Sequence, residues 1–162
     1  MALAIHTVTL TNGARLGICP LPGRSGDGLR DIGAVLRWQP DLVISMTEQS
    51  EMERHNMGDL EGLLLAASIP WLHFPIRDFG APDAGADWKT VSDRAHAILD
   101  RGGAVLAHCY GGQGRSGMVL LRLMVERGQS SETALSDLRR KRPGAVETDA
   151  QFAWAAAGDP KA

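Results

Sequence analysis

The residues with the most evident chemistry are contiguous: His108-Cys109-Tyr110-Gly111-Gly112-Gln113-Gly114-Arg115-Ser116. A thiol and a guanidinium bracket five residues, three of them glycine. Apolar residues before the run (104–107) read as a buried strand, and Met118, Val119, Leu121, Leu123 and Met124 after it read as a helix. A helix starting near Arg115 turns its unpaired first-turn N–H groups and positive dipole end toward the loop. Gly111, Gly112 and Gly114 let the backbone curl, so that successive N–H groups point inward as a nest for a tetrahedral oxyanion. Arg115 can grip two of the oxyanion's oxygens at once, which a lysine does less well. The same field acts on Cys109, because a thiol that ordinarily titrates near 8.5 falls to roughly 3.5–7.5 at helix N-termini. The expected product is a thiolate nucleophile beneath a bound phosphorus. His108, at the strand end, is expected to orient the loop by hydrogen bonding rather than to act as a base. Ser116 can donate to the sulfur and help it leave.

Other glycine-loop chemistries fit less well. Gly112-Gln113-Gly114-Arg115-Ser116-Gly117 matches the dinucleotide pattern GxGxxG, but the helix that follows leads into another helix, not into a second strand with a ribose-binding acid. A Walker A loop would need glycine at Cys109 and lysine at Arg115. A sulfur carrier would have no use for a general acid, yet cleavage of a phosphate ester needs a proton for the leaving oxygen. Asp78, in a turn-rich loop after an expected strand at 71–76, is the best donor. In a mostly parallel sheet the C-terminal strand ends line one crevice, which would place Asp78 and Cys109 on the same rim. Asp83 is the runner-up, and Asp87 reads as a helix cap.

The elements that must position these residues follow from the pattern. A hairpin is expected at 6–10 and 15–19, then a helix at 28–38 capped by Asp27. A buried strand at 42–46 and a charged helix at 48–54 capped by Thr47 come next. Helices at 59–68 and 86–101 flank the acid strand and loop. After the nucleophile helix come a helix capped by Ser130 or Ser131 and a last short helix at 149–157. Apolar strands alternating with helices indicate a single α/β domain with a central, mostly parallel sheet covered by helices on both faces. Its expected extent is 1–158, with 159–162 as a tail.

Composition fits this reading. The chain has 162 residues, enough for one domain with a real core, and a net charge of -2, which does not suggest a nucleic-acid binder. Cys19 and Cys109 are too few for a disulfide scaffold and suit a cytoplasmic, reducing setting. No signal peptide, membrane span or membrane partner is expected. His6, His55, His73 and His96 lack metal-ligand spacing, so no metal or other cofactor is expected.

The His108–Ser116 run resembles the HCx5R[S/T] loop of the cysteine-dependent protein tyrosine phosphatases. Chain length and the upstream Asp78 resemble the small dual-specificity group, and the His-Cys-Tyr-Gly-Gly start resembles the branch around the cyclin-dependent kinase-associated phosphatase. The low-molecular-weight phosphatases carry loop and acid in the opposite order. The resemblance implies a metal-independent hydrolase working in two steps. Cys109 attacks phosphorus to give a phosphocysteine while Asp78 protonates the leaving group, and water then hydrolyses the intermediate with Asp78 as base. Tyr110, Gly111, Gly112, Gln113, Gly114 and Arg115 would hold the phosphoryl oxygens. The implied partner is a phosphorylated protein or peptide. The chain is too short for the elements that deepen the pocket of tyrosine-specific members, so phosphoserine and phosphothreonine join phosphotyrosine as expected substrates. The alternatives are a small-molecule or inositol phosphate, disfavoured by a loop without lysine, and a phosphate-binding adaptor without turnover. Gln151 stands where relatives can carry a glutamine near the site; placing water and plain surface helix are equally open readings. The basic run 139–142 reads as a helix end complementing its dipole or as a docking patch. Cys19 reads as a small buried hydrophobe, with a resolving role toward oxidised Cys109 as the sharper reading.

Overall fold

A computed structural model describes residues 2–160, so the last two residues of the expected tail lie outside the described residues. Five strands and seven helices alternate: β1 (His6–Thr9), β2 (Arg15–Cys19), α1 (Gly28–Trp38), β3 (Leu42–Ser45), α2 (Gln49–Glu53), α3 (Leu60–Leu65), β4 (Trp71–His73), α4 (Trp88–Asp100), β5 (Ala104–His108), α5 (Gly114–Glu126), α6 (Ser131–Lys141) and α7 (Asp149–Ala156). The sheet runs β1-β2-β5-β3-β4; β1 is antiparallel to β2 and every other pair is parallel. Register sets the site. Cys19 and Ser45 both pair with His108, and Ser45 also pairs with His73, so four strand ends share one rim.

The pleat sends alternate residues to opposite faces. Leu16, Ile18, Leu42, Ile44, Val105 and Ala107 join the core built with α4–α7. Val43 and Leu106 point the other way, into the core built with α1–α3. Helices therefore cover both faces, as the alternating pattern requires.

Three local expectations change. The acid strand ends at His73 rather than 76, because Pro75 has no N–H for the ladder, although Phe74 and Ile76 still donate to the Ser45 and Met46 carbonyls. Thr47 does not cap α2. It turns inward and is buried, while Glu48 takes the N-cap position and its N–H donates to the Glu51 carboxylate at 2.8 Å. The nucleophile helix opens one residue early, at Gly114. Asp27, Asp87 and Ser130 do cap α1, α4 and α6, each accepting a first-turn N–H. Among the described residues no helix is long and apolar enough to cross a membrane.

Candidate active site

The loop after β5 carries Cys109 at its floor, 3% exposed. The amides from Tyr110 to Ser116 have no acceptor among the described residues, while every carbonyl from Cys109 to Gln113 has a donor outside the loop. Because C=O and N–H of one trans peptide point in opposite directions, carbonyls held outward aim the following amides inward. Gly112 is the one loop residue in the left-handed region, φ 68°, and a Cβ there would lie 2.5 Å from the Cys19 carbonyl carbon. Glycine is therefore required at 112. Gly111 and Gly114 keep ordinary φ, which narrows the expectation that all three glycines serve the curl.

Ser116 Oγ lies 3.2 Å from Cys109 Sγ, close enough to donate to the sulfur. Arg115, 1% exposed, is held edge-on by Glu51: Nη1 to Oε2 at 2.7 Å and Nη2 to Oε1 at 2.8 Å. Nη1 also donates to the Ile76 carbonyl at 2.9 Å, tying the guanidinium to the segment between β4 and Asp78. Burial alone would push the Arg115 guanidinium down, but Glu51, Cys109 and Asp78 hold it above its ordinary value. Burial would likewise raise the Glu51 carboxyl, yet the Arg115 and Glu48 hydrogen bonds bring it below the usual carboxylate range. The protein itself thus takes one bidentate edge of Arg115. Nε, buried and without a partner among the described residues, is the donor left over. A buried donor left unmade costs about 1–3 kcal/mol, so Nε is the guanidinium edge available to a bound anion.

Asp78 lies 3.2 Å from Arg115 Nη2 with its side chain half exposed, so the structure brings together Cys109, Arg115, Ser116 and Asp78. Asp83 is exposed on the same loop. His108 is fully buried. Its Nε2 meets Ser45 Oγ, which itself accepts from Trp71 Nε1 at 2.7 Å. Nδ1 lies 3.3 Å from the Cys109 carbonyl, which can only accept, so the proton of the neutral ring is assigned to Nδ1 and Ser45 donates to Nε2. Burial, against a partly opposing bond to Cys109, pushes the imidazole down to about 4, so it is neutral at pH 7.

Gln151 is not on an exposed surface. It is fully buried; its Nε2 donates to the Gly80 carbonyl at 3.1 Å on the acid loop, and its Oε1 accepts from Glu147 N–H at 2.8 Å. The basic run is neither a plain dipole complement nor a uniform patch. Arg139 holds the Ala145 and Val146 carbonyls, Arg140 pairs with Asp137, and Arg142 reaches the nucleophile loop. Cys19 is fully buried, and burial, then the charges of Cys109 and Asp31, push its thiol up, which opposes an attacking thiolate. Among the described residues no group of three His, Cys, Asp or Glu could hold a metal ion.

Glu51, Ser45 and Trp71 carry no site role in the sequence reading, and Arg142 enters it only within the basic run 139–142. One signal was present for Glu51: an acidic residue just after a buried strand belongs to the same rim as the loop. Nothing in the sequence pairs Arg142 with Gly111.

A family model described as polymorphic toxin system, DSP-PTPase phosphatase matches residues 41–129. The chain is 31% identical over 144 residues to cyclin-dependent kinase inhibitor 3 of Mus musculus, covering 85% of this chain and 68% of that protein. It is 34% identical over 74 residues to protein tyrosine phosphatase type IVA 3 of Mus musculus, covering 44% and 42%. Among solved structures, kinase associated phosphatase with its catalytic-site cysteine replaced by serine superposes with a TM-score of 0.84 at 25% identity, covering 96% of this chain and 93% of that one. Tk-PTP in its active form gives 0.67 at 33% identity, covering 88% and 90%.

Proposed function

The chain belongs to the DSP-PTPase family and is a cysteine-dependent protein phosphatase; from that premise we propose that it hydrolyses phosphotyrosine, with phosphoserine and phosphothreonine, on proteins through a phosphocysteine. One observation supports this most: on the loop that starts at Cys109, the amides from Tyr110 to Ser116 and the buried Nε of Arg115 have no acceptor among the described residues.

A phosphomonoester seats its nonbridging oxygens on the amides from Tyr110 to Arg115 and on Arg115. The Cys109 thiolate forms the S–P bond as the P–O bond to the leaving group breaks. Asp78 gives its proton to that oxygen. In the second step water attacks phosphorus, Asp78 takes a proton, and Ser116 donates to the departing sulfur. Glu51 leaves the Nε edge of Arg115 free to face the phosphoryl group. Arrival of the phosphate displaces Asp78 from Nη2 and turns the carboxyl toward the leaving oxygen. His108 holds the Cys109 peptide in place and stays neutral. These steps involve no metal, and the need for a reduced Cys109 suits the cytoplasm.

Hydrolysis of an aryl phosphate in EDTA tests the reading. Turnover is expected in the wild type, none in Cys109→Ser, and a loss of about 10²-fold or more in Asp78→Ala. Undiminished activity in Cys109→Ser would sink the mechanism, and a slow Asp83→Ala beside a fast Asp78→Ala would move the acid to Asp83.

A further inference from the structure

Five consecutive carbonyls hold the nucleophile loop open, and their donors are unequal. The Cys109 carbonyl faces His108 Nδ1 within its own strand end. The Tyr110 carbonyl receives the Leu21 amide at 3.1 Å and Arg24 at 3.4 Å. The Gln113 carbonyl receives the amides of Gly117 and Val146, both at 3.0 Å. The two in the middle have a single donor residue between them among the described residues. Arg142 donates from Nε to the Gly112 carbonyl at 2.8 Å and from Nη2 to the Gly111 carbonyl at 3.1 Å. These two peptide units flank the loop's left-handed glycine, so they have the least steric resistance to flipping. A flip would turn a carbonyl dipole into the cradle in place of an amide.

We propose that Arg142 is a positioning residue of the nucleophile loop: its planar fork fixes the Gly111–Gly112 and Gly112–Gln113 peptides, and so aims the Gly112 and Gln113 amides at the phosphoryl oxygens. Arg142 touches neither substrate nor sulfur and acts through those two peptides. The segment that carries it is built to hold still. Arg142 N–H closes α6 on the Leu138 carbonyl at 2.8 Å, the Pro143 carbonyl accepts from Gln113 Nε2 at 3.4 Å, and Arg139 grips the Ala145 and Val146 carbonyls, both at 2.8 Å. A lysine could not reproduce the fork, since its ammonium is a point donor on a flexible stem. The inference rests on the phosphatase reading for its catalytic consequence, but the geometry bears on any tetrahedral oxyanion.

The test compares wild type, Arg142→Met and Arg142→Lys, with Arg140→Ala as a surface control. Tungstate affinity by calorimetry, kcat and KM on an aryl phosphate, and thermal midpoints are read on each. Removing one oxyanion donor costs about 10²–10³ in kcat, so loosening two without removing either is expected to cost about 10²-fold in kcat/KM for Arg142→Met. Tungstate should bind about 10-fold or more weaker. Arg142→Lys should fall between, and Arg140→Ala should match the wild type. Wild-type tungstate affinity in either folded Arg142 variant overturns the proposal. So does failure of both to fold, which would make Arg142 a structural residue only. If the wild type turns over no aryl phosphate, the phosphatase reading fails, and the tungstate series still decides whether Arg142 aims the amides.

Discussion

The Arg115 guanidinium is left little freedom. It is nearly inaccessible, and Glu51 and the Ile76 carbonyl use most of its donors. Breaking a buried pair from one side leaves an uncompensated charge, typically about 3–5 kcal/mol. Glu51→Gln is therefore expected to lower unfolding free energy by about 3 kcal/mol in urea titrations and to weaken tungstate binding, because the guanidinium loses its brace. A fully stable, tight-binding Glu51→Gln would show that Arg115 is held by the loop alone. The loop glycines should divide in the same assays. Gly112→Ala must place a Cβ against Cys19 backbone at a positive φ and is expected to lose about 2 kcal/mol or more together with oxyanion binding. Gly111→Ala, whose Cβ would meet only Arg24 Nη1 at 3.7 Å, should bind nearly as well as wild type.

At the scale of elements, the acid loop is held between two anchors. On one side Phe74 packs against Trp88 and Trp154, and Trp88 meets Trp154 edge-on at 5.0 Å. On the other, Gln151 at the start of α7 holds the Gly80 carbonyl. Gln151→Met should release the loop, slowing substrates that need protonation of a poor leaving group by about 10-fold and aryl substrates less. Equal effects on both would argue against a role through Asp78. α4 and α5 share a buried carboxylate. Glu126 accepts from Trp88, Ser92, His96 and Arg122, and although burial alone would raise it, these bonds bring it from 4.5 down to about 2. A carboxyl depressed in the folded state stabilises above its unfolded value and loses that contribution as pH falls. On the order of 3 kcal/mol should vanish between pH 4.5 and 2, and Glu126→Gln should flatten the stability profile in that window. These elements also show what sequence could carry. Strands and helices were legible because their apolar periods and caps are local. Contacts such as Arg115 to Glu51, 64 residues apart, or Arg142 to Gly111, 31 apart, were not, because only the sheet register and the return of α6 bring them together. That Asp78 lies close to Arg115 on the Cys109 loop was legible because loop chemistry is contiguous and strand ends share a rim.

For the whole molecule, sheet order determines the site. With β5 in the middle and β3 and β4 to one side, the ends that carry Cys109, Met46 and Ile76 converge, and Arg115 reaches the carbonyls of the latter two. Helices on both faces bury β3 and β5 along their whole length, and the Cys109 loop follows at the end of β5. The central claim is that the phosphoryl group passes through the Cys109 sulfur, and rapid-quench mass spectrometry tests it most directly. Wild-type protein and Asp78→Asn are mixed with an aryl phosphate in EDTA, quenched in acid and digested. The account predicts one phosphoryl group on the peptide containing Cys109, accumulating in Asp78→Asn where hydrolysis of the intermediate is slowed, and absent in Cys109→Ser. Turnover with the phosphoryl group on another residue, or on none, would contradict it.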